Sequence, residues 1–442
     1  MRLPASPVRP LLTKMLKKAL TSVHAGLAIR RTVLKDDDML VVGSRRYDLR
    51  DYERIVVVGA GKASAAMARA IERILGRRLD DGLVSVKYGH SLPTKRIAVA
   101  QAGHPLPDRA GLTAARRIVA LVKGLNARDL LLVLVSGGAS SLMPAPVSGL
   151  TLSTKQRITD QLLRCGADIT DINTVRKHLS DVKGGRLATL SEATIVTLVL
   201  SDVIGDDLSA IGSGPTAPDP TTFRDAVRCL RRYGLWALAP SAVRRHLTNG
   251  VEGRLADTPK PGAKLFRRVQ HAIIGNNAMA VTALTAVARS EGWRTHVLPP
   301  FINEAREAGA QIGAMAKRIL LQGRPLSRPC CVVAGGETIV AVKGGGKGGR
   351  AQEFAVSAAK AIAGLSGVCV AAIATDGTDG PKDSAGALVS GETWDRADQL
   401  RIDLDLALRR NDTYRALTCL NGHIVTGPTG TNVNDLYLLF VF

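Results

Sequence analysis

Arg54-Ile-Val-Val-Val-Gly-Ala-Gly-Lys-Ala-Ser64 decides the fold, because it places a run of apolar residues directly before a glycine turn and the start of a helical pattern. The same arrangement recurs in Leu131–Ser141, Thr194–Asp207, Ala272–Ala280, Cys331–Thr338 and Cys369–Asp379. Continuous apolar strands that alternate with helices predict an α/β fold with mostly parallel sheets, covered by helices on both faces. Ligands of such sheets bind at the carboxyl ends of the strands, where these polar turns lie.

The length of the chain predicts two domains, because 442 residues exceed the size at which one hydrophobic core keeps growing. The best linker candidate is Thr248–Ala263, where Asn-Gly, Glu-Gly, Thr-Pro and Lys-Pro-Gly follow each other closely. We therefore divide the chain into residues 1–262 and 263–442 and expect an α/β fold in each.

The composition is that of a globular protein with a strongly basic surface: 45% of the residues are hydrophobic, 22% are charged, and the formal net charge is +22. Such a charge attracts acidic metabolites and nucleotides, and it also binds nucleic acid non-specifically at low salt. Only 3% of the residues are aromatic, which argues against a single-strand binding protein, because those proteins stack bases on aromatic rings. A nucleic-acid-binding role therefore rests on the net charge alone.

Cysteine usage and the N-terminal stretch bear on location. The six cysteines are scattered and none has Cys-x-x-Cys spacing, which favours reduced thiols in the cytoplasm over a zinc site or a disulfide framework. Residues 2–31 are basic and free of acids, as in a transit peptide. Their apolar spacing favours instead one amphipathic helix from about Leu11 to Leu34.

A glycine-rich loop precedes a predicted helix in the second half of the chain, as Lys343-Gly-Gly-Gly-Lys347-Gly348-Gly349-Arg350. Glycines allow positive φ and close approach to a ligand, and backbone N–H groups beside Lys347 and Arg350 suit a polyanion. The helical pattern from Ala351 places Arg350 at a helix N-terminus, where phosphate is favoured. The alternative is a mobile hairpin with solvated charges.

Two loops in the first half have the same character. Gly59-Ala-Gly61-Lys62-Ala-Ser64 resembles a dinucleotide fingerprint, but Ser64 replaces the third small residue, and Lys62 suits a phosphate or carboxylate. Ser136-Gly137-Gly138-Ala-Ser140-Ser141 offers hydroxyls and bare N–H groups, without the Gly-x-Ser-x-Gly elbow of a serine hydrolase. For the first of these loops, an ordinary strand-to-helix turn is an equally good interpretation.

Acidic and basic clusters complete the set of candidates. Ser201-Asp202 and Thr375-Asp376 put carboxylates at the ends of predicted strands, as a magnesium nucleotide site requires, although aspartates also cap helices. Asn173–Arg186 is cationic and ends in glycine, with Arg176, Ser180 and Lys183 predicted on or near one helix face. An exposed basic helix explains that segment equally well.

Together these motifs resemble the class II glycerate kinases, the glycerate 2-kinase family whose C-terminal part is called the MOFRL domain. The resemblance covers nearly the whole chain and rests on Gly59–Ser64, Ser136–Pro146, Asn173–Arg186, Ser201–Phe223, Gly275–Asn277, Gly335–Glu353, Thr375–Gly386 and Thr426–Asp435. It implies ATP-dependent phosphorylation of D-glycerate at the 2-hydroxyl with Mg²⁺. It also implies two Rossmann-like α/β domains facing a cleft, with residues 1–262 as the kinase domain and 263–442 as the MOFRL-type domain.

Within this resemblance we expect Lys62 and Arg350 to hold the glycerate carboxylate and the transferred phosphoryl group, and Asp202 to orient the attacking hydroxyl or accept its proton. Asp376 and Glu337 are candidates for binding Mg²⁺ or for fixing the basic side chains. The residues expected to contact substrate or nucleotide are Gly59, Gly61, Ser136, Gly137, Gly138, Ser140, Asn276, Glu337, Lys347, Gly348 and Gly349.

The partners expected are ATP and D-glycerate, with no specific nucleic acid and no membrane, while the choice between monomer and homodimer stays open. A hydroxypyruvate reductase using NAD(P)H is the alternative, because similar family members often carry that label. A reductase needs a cleaner nicotinamide fingerprint than Gly59–Ser64 provides.

Overall fold

The structure is a computed structural model that describes residues 1–380 and 383–442, so Pro381 and Lys382 of the predicted motif Thr375–Gly386 lie outside the described residues. It divides into two compact units. The parallel-sheet unit is Ala25–Ile274, and the mixed-sheet unit consists of Met1–His24 together with Gly275–Phe442. No helix in the described ranges is long and apolar enough to cross a membrane.

The helices and strands of the described residues are numbered along the chain. The helices are α1 (Arg9–Ser22), α2 (Ala25–Thr32), α3 (Ser64–Leu75), α4 (Arg109–Lys123), α5 (Ala139–Leu142), α6 (Leu152–Arg164), α7 (Ile169–His178), α8 (Phe223–Arg232), α9 (Ser241–Val251), α10 (Asn277–Ser290), α11 (Ala305–Gln322), α12 (Arg350–Ala361), α13 (Thr393–Gln399), α14 (Leu404–Arg409) and α15 (Thr413–Cys419). The strands are β1 (Val33–Asp36), β2 (Met39–Val42), β3 (Arg45–Asp48), β4 (Ile55–Ala60), β5 (Asp81–Lys87), β6 (Ile97–Ala102), β7 (Leu130–Val135), β8 (Thr194–Leu200), β9 (Val269–Gly275), β10 (Arg294–Val297), β11 (Cys330–Gly336), β12 (Val368–Ala374), β13 (Gly386–Ser390), β14 (His423–Ile424) and β15 (Asp435–Val441).

The parallel-sheet unit confirms the α/β prediction. Its main sheet has the order β6-β5-β4-β7-β8-β9, and the pairings of β4 with β5 and β7, of β5 with β6 and of β7 with β8 are all parallel. Every residue of β4 and β7 is buried, as expected for strands covered on both faces. The strand order reverses between β4 and β7, and a crevice forms at such a point beyond the carboxyl ends of the strands. Gly59–Ser64 and Ser136–Ser141 lie at that point.

The mixed-sheet unit corrects the prediction of mostly parallel strands. Its sheet has the order β10-β11-β15-β12-β13-β14, and only the pairing of β10 with β11 is parallel among its described strands. The C-terminal strand β15 lies antiparallel between β11 and β12. Because these three strands are buried throughout, their apolar runs carry no information about direction.

The N-terminal segment also differs from the prediction of one helix over Leu11–Leu34. The structure has two helices, α1 and α2, and their apolar faces pack in different units: α1 packs against α10 in the mixed-sheet unit, and α2 packs against α3 in the parallel-sheet unit. The chain therefore changes units at His24, a division that periodicity alone does not reveal.

The later boundary falls between Ile274 and Gly275, at the end of β9, and not at residues 262/263, because β9 belongs to the first sheet. The predicted linker, Thr248–Ala263, is part of the parallel-sheet unit. Thr258 is buried and donates its hydroxyl to Asp219, and the carbonyl of Pro259 accepts the N–H of Asp219. The turn-forming residues in this segment therefore form a loop that is bonded to the parallel-sheet unit, and they do not mark a domain boundary.

Candidate active site

The loops that follow β4 and β7 are bonded to each other at the reversal of strand order. The N–H of Lys62 donates to the carbonyl of Gly137 at 2.8 Å, and the N–H of Ala63 donates to Ser136 Oγ at 3.1 Å. Gly61 has φ +141°, and a Cβ there would lie 2.1 Å from Ser136 Oγ. The glycine of the first loop is therefore needed for close approach to the second, and this contact fixes the backbone that carries Lys62.

His104 completes this side of the site, and the sequence analysis did not identify it. It follows β6, and a Cβ on Gly138 would lie 2.8 Å from the His104 ring and 3.6 Å from Lys62 Cγ. Burial, together with Lys62 and other nearby cations, lowers the pKa of His104 to about 4. The imidazole is therefore neutral at neutral pH, and it can accept or donate a hydrogen bond beside Lys62.

A second feature of the parallel-sheet unit is a group of three cations, the buried Lys155 of α6 and Lys183 and the partly exposed Arg176 of α7. Their charges act on one another, and we call them the buried cation cluster. Lys183 is fully buried, and its Nζ donates to the carbonyl of Gly212 at 3.4 Å. Lys155 is 5% exposed, and its Nζ has no hydrogen-bond partner in residues 1–380 and 383–442. Burial, with a smaller effect of Arg176, lowers the pKa of Lys155 to about 7, and burial lowers the pKa of Lys183 well below its usual value.

Polar side chains connect this cluster to the loop after β7. Ser140 Oγ lies 2.6 Å from Ser213 Oγ, and the Ser213 hydroxyl donates to Asn173 Oδ1 at 3.4 Å. Gly212, whose carbonyl accepts from Lys183, adjoins Ser213. The Ser136–Ser141 loop therefore has Lys62 and His104 on one side and the segment bonded to the buried cation cluster on the other. Asp202 follows β8 at the same edge of the sheet and is partly exposed.

The sequence carries a local signal for Lys155. The buried residues of α6 are Lys155, Ile158 and Leu162, so the lysine occupies a position on the apolar stripe of an amphipathic helix. A lysine in that position either extends its amino group to solvent or has a specific partner for its charge. The predicted candidates Arg176 and Lys183 are part of the cluster, whereas Ser180 lies beyond the end of α7.

In the mixed-sheet unit, Arg350 is held between two carboxylates. Its Nε and Nη2 donate to the two carboxylate oxygens of Asp435 at 2.5 and 3.1 Å, and its Nη1 donates to Glu337 Oε1 at 2.7 Å. The Tyr437 hydroxyl donates to Asp435 at 3.1 Å. Burial acts against the charge, but Asp435 and Glu337 outweigh it and raise the pKa of Arg350, so the guanidinium stays charged and fixed in orientation.

Asp435 was not among the predicted site residues, although the quoted motif Thr426–Asp435 ends on it. It is fully buried at the start of β15, opposite Gly336 of β11 and Ala374 of β12. Since β15 runs antiparallel to both strands, its first residue meets their carboxyl ends. Glu337 and Asp376 follow those same ends, so the strand insertion brings Arg350, Glu337, Asp376 and Asp435 to one edge of the sheet.

An open cavity of about 630 Å³ lies at this edge, within the mixed-sheet unit. Arg350, Asp376, Gly348 and Gly349 are among the residues that line it. Lys347 is exposed and is not part of the lining. The structure thus groups four of the predicted residues around one cavity.

The glycine-rich loop is anchored to neighbouring residues by hydrogen bonds. The N–H groups of Lys343 and Gly344 donate to Asn411 Oδ1, and that of Lys347 donates to Asp412 Oδ1. None of its five glycines, all within the described residues, has positive φ. Glycine is needed here for close approach, as a Cβ on Gly349 would lie 2.3 Å from Asp379.

The N-terminus of α12 is already occupied by a carboxylate of the chain, contrary to our expectation of a free phosphate site. Asp379 accepts the N–H groups of Ala351 and Gln352 at 3.1 and 2.8 Å. Burial raises the pKa of Asp379 to about 6, while these two hydrogen bonds oppose the shift. Asn276 has a similar structural task, because its side chain accepts the N–H of Met279 and caps α10.

The carboxylates differ in their fitness for Mg²⁺. Asp376 lines the cavity, and its Oδ1 accepts the N–H of Thr378 at 3.0 Å. Glu337 is engaged with Arg350. The described residues contain no group of three or more His, Cys, Asp and Glu side chains arranged around one metal position. Magnesium usually takes one or two carboxylates along with phosphate oxygens and water, a set that Asp376 fits.

Comparisons with known proteins identify the family of the chain. A family model described as a domain of unknown function, DUF4147, matches residues 11–248, and the MOFRL family model matches residues 330–435. The chain is 38% identical to the glycerate 2-kinase of Pyrococcus horikoshii, over 99% of this chain and 98% of that protein. A crystal structure of glycerate kinase from Thermotoga maritima superposes with a TM-score of 0.86 at 39% identity, covering 98% of this chain and 99% of that chain. A protein of Agrobacterium vitis, 41% identical over 88% of this chain and 87% of its own, carries hydroxypyruvate reductase as a provisional name.

Proposed function

Because the chain belongs to the glycerate 2-kinase family with a C-terminal MOFRL domain, we propose that it uses ATP and Mg²⁺ to phosphorylate D-glycerate at the 2-hydroxyl. The enzyme is a phosphotransferase that acts on an alcohol group. The observation that carries its site is the orientation of Arg350, whose charged guanidinium is held by two carboxylates at a cavity beyond the ends of β11 and β12.

Arg350 serves the transferred phosphoryl group. Charge spreads over the oxygens of this group in the transition state, so a fixed cation contributes most there, and its orientation needs no adjustment during the reaction. The two carboxylates lower the positive potential around the charged guanidinium, which favours a brief interaction with the transition state over tight binding of the product.

Lys62 and Asp202 serve the acceptor. As the 2-hydroxyl oxygen forms a bond to the γ-phosphorus, the bond to the bridging oxygen breaks and ADP leaves, and the hydroxyl proton passes to the carboxylate of Asp202. Lys62 binds an acidic group of the reactants, and its backbone is held by Gly137. The neutral His104 beside it offers a hydrogen bond without adding charge.

Asp376 would hold Mg²⁺, since its carboxylate lines the same cavity as Arg350. When bound, the ion supplies charge neutralisation on phosphate oxygens. We further propose a cytoplasmic location, because all six cysteines are free thiols.

The test of the reaction is phosphorus NMR of the purified protein with Mg-ATP and D-glycerate at moderate salt. We expect a 2-phosphoglycerate signal that grows with ADP. A 3-phosphoglycerate signal would support kinase activity but would show that the 3-hydroxyl, and not the 2-hydroxyl, is the acceptor.

The absence of ATP turnover would contradict the proposal. Oxidation of NADH with hydroxypyruvate would then support the reductase named for the Agrobacterium relative. Ser64 stands where a dinucleotide fingerprint has its third glycine or alanine. In the structure Ser64 is buried, and its Oγ lies 3.2 Å from Ser136 Oγ. The loop therefore lacks the form that a nicotinamide site needs.

A further inference from the structure

We propose that the buried cation cluster, Lys155, Arg176 and Lys183, is the subsite that binds the carboxylate of the acceptor hydroxy acid. This inference rests on the proposed function and adds to it the residues that recognise the acid group. It assigns to the parallel-sheet unit a binding element distinct from Lys62.

The first argument is the lack of a counter-charge. Within the described ranges, residues 1–380 and 383–442, neither Lys155 nor Arg176 has an ion pair or a side-chain hydrogen bond, and Lys183 has one long contact to a carbonyl. Asp181 is the acid whose charge acts on Lys155, but it forms no ion pair within the described residues, and burial raises its pKa. Burying an uncompensated charge is expensive, which is why burial lowers the pKa of Lys155 and of Lys183. An anion that bound there would favour the charged form of both.

The second argument is the contrast with Lys177, the residue next to Arg176 on α7. Lys177 is also buried, and its Nζ lies 3.2 Å from Asp219 Oδ1. The unit therefore neutralises a buried cation with a carboxylate where the role is structural. The cluster without such a carboxylate is arranged for an anion that arrives from outside.

The third argument concerns the size and chemistry of that anion. Lys183 is fully buried and Lys155 is 5% exposed, so the group that reaches them is small and enters end-on, unlike a nucleoside triphosphate. The polar neighbours are hydroxyls and a carboxamide, those of Ser140, Ser213 and Asn173, which match the hydroxyls of a small hydroxy acid. A small hydroxy acid offers a carboxylate to the cations and a hydroxyl to the side chains of Ser140, Ser213 and Asn173.

The experiment replaces Lys155 with methionine, an unbranched side chain that keeps most of the length of lysine and carries no charge. Melting temperature is measured without ligand and with increasing D-glycerate, and KM is then measured separately for D-glycerate and ATP. Lys183→Met is the second variant. Lys317→Met, on the exposed face of α11, is the matched control, and Lys177→Met reports what loss of a paired lysine does.

We expect Lys155→Met to melt no lower than the wild type without ligand, because it removes an unpaired buried charge. We expect its KM for D-glycerate to rise about 10- to 100-fold, the usual range for losing a charge-assisted hydrogen bond, with a matching loss of the melting shift. KM for ATP should stay within about twofold. Lys177→Met should melt below the wild type, because Asp219 loses its partner.

An unchanged KM for D-glycerate together with an unchanged melting shift would overturn the proposal. A rise confined to the KM for ATP would also overturn it, since the cluster would then bind a nucleotide phosphate. If the wild type does not phosphorylate D-glycerate, the proposed function fails. The melting shift with D-glycerate, compared with inorganic phosphate, still decides whether the cluster binds a carboxylate.

Discussion

Two groups of cations in this protein, one in each unit, differ in how their charge is balanced. In the mixed-sheet unit, Arg350 is matched by Asp435 and Glu337, and Arg306 donates to the buried Glu353 at 2.8 Å. In the parallel-sheet unit, the buried cation cluster has no carboxylate partner among the described residues. Both groups lie close to the loops that the sequence identified.

This difference separates two tasks of a kinase site. A cation that is already paired has a fixed direction and a reduced affinity for anions, so it contributes where charge develops during the reaction. A cation that is buried and unpaired gains most when a ground-state anion binds, because the anion relieves both its desolvation and the repulsion from its neighbours. Changes in the two groups should therefore affect different kinetic constants.

The largest effect is expected from Arg350→Ala. Loss of a charge partner of the transferred phosphoryl group lowers kcat by about 10³- to 10⁵-fold, and KM for either substrate changes far less. The variant also leaves Asp435 buried without its cation, which costs about 3 to 5 kcal/mol of unfolding free energy. Steady-state kinetics and urea unfolding measure the two effects separately.

A double variant separates the effect of Arg350 on kcat from its effect on stability. Arg350→Ala with Asp435→Asn removes both charges, so it should recover stability relative to the single variant while kcat stays low. Recovery of kcat with stability would mean that Arg350 acts through the fold alone. A nearly normal kcat in the single variant would rule out its role in phosphoryl transfer.

The next effect is that of Lys62→Ala. We expect a fall in kcat/KM of about 10²- to 10³-fold, the range for removing one positioned donor from an active site, with the fold intact because the Lys62 side chain is partly exposed. Lys35→Ala, an exposed lysine of β1, is the control. If both variants keep the wild-type values of kcat and KM, then Gly59–Ser64 is only a structural turn.

Much of the fold was predictable because its signals are local. The strands β4, β7, β8, β9, β11 and β12 follow from apolar runs that end in glycine, serine or aspartate, and α12 follows from the pattern after Arg350. The antiparallel insertion of β15 was not predictable, because a fully buried strand has the same composition in either direction. The unit boundary at His24 was not predictable for a similar reason, because α1 and α2 share one continuous apolar periodicity but pack in different units.

The site was predictable to the same extent. Lys62, Ser136 and Arg350 stand in glycine loops whose composition marks them. Lys155 and Asp435 stand inside regular elements, and what makes them special is burial, which depends on packing from distant segments. Arg176 and Lys183 of the cluster stand in the cationic motif Asn173–Arg186, and the local signal for Lys155 is its position on the apolar stripe of α6.

The contact between the two loops of the parallel-sheet unit is tested by Gly61→Ala. With φ +141° and Ser136 Oγ only 2.1 Å from the added Cβ, this variant should lose about 2 to 3 kcal/mol of unfolding free energy. Gly76→Ala is the matched control, since Gly76 has φ +58° but nothing within 4 Å of the added Cβ. Equal losses in urea unfolding would show that backbone conformation alone, and not the loop contact, requires glycine at position 61.

The last prediction concerns pH and the pair of Lys62 and His104. Because the pKa of His104 is lowered to about 4 in the folded protein, the unfolded chain binds more protons between pH 4 and the ordinary histidine value of 6.5. The contribution of His104 to stability is therefore complete above pH 6.5 and declines as the pH falls towards 4. His104→Gln should lose less stability than the wild type over this range in urea unfolding.

NMR titration of His104 then tests its contact with Lys62 directly. Since burial is the main cause of the low pKa and Lys62 the next, Lys62→Ala should raise the pKa of His104 without restoring its usual value. An unchanged titration in Lys62→Ala, or parallel pH profiles for His104→Gln and the wild type, would mean that the imidazole does not sense the lysine. The loops after β4, β6 and β7 would then share an edge of the sheet without forming one electrostatic site, and Lys62 would lose its neutral neighbour as a partner in binding the acceptor.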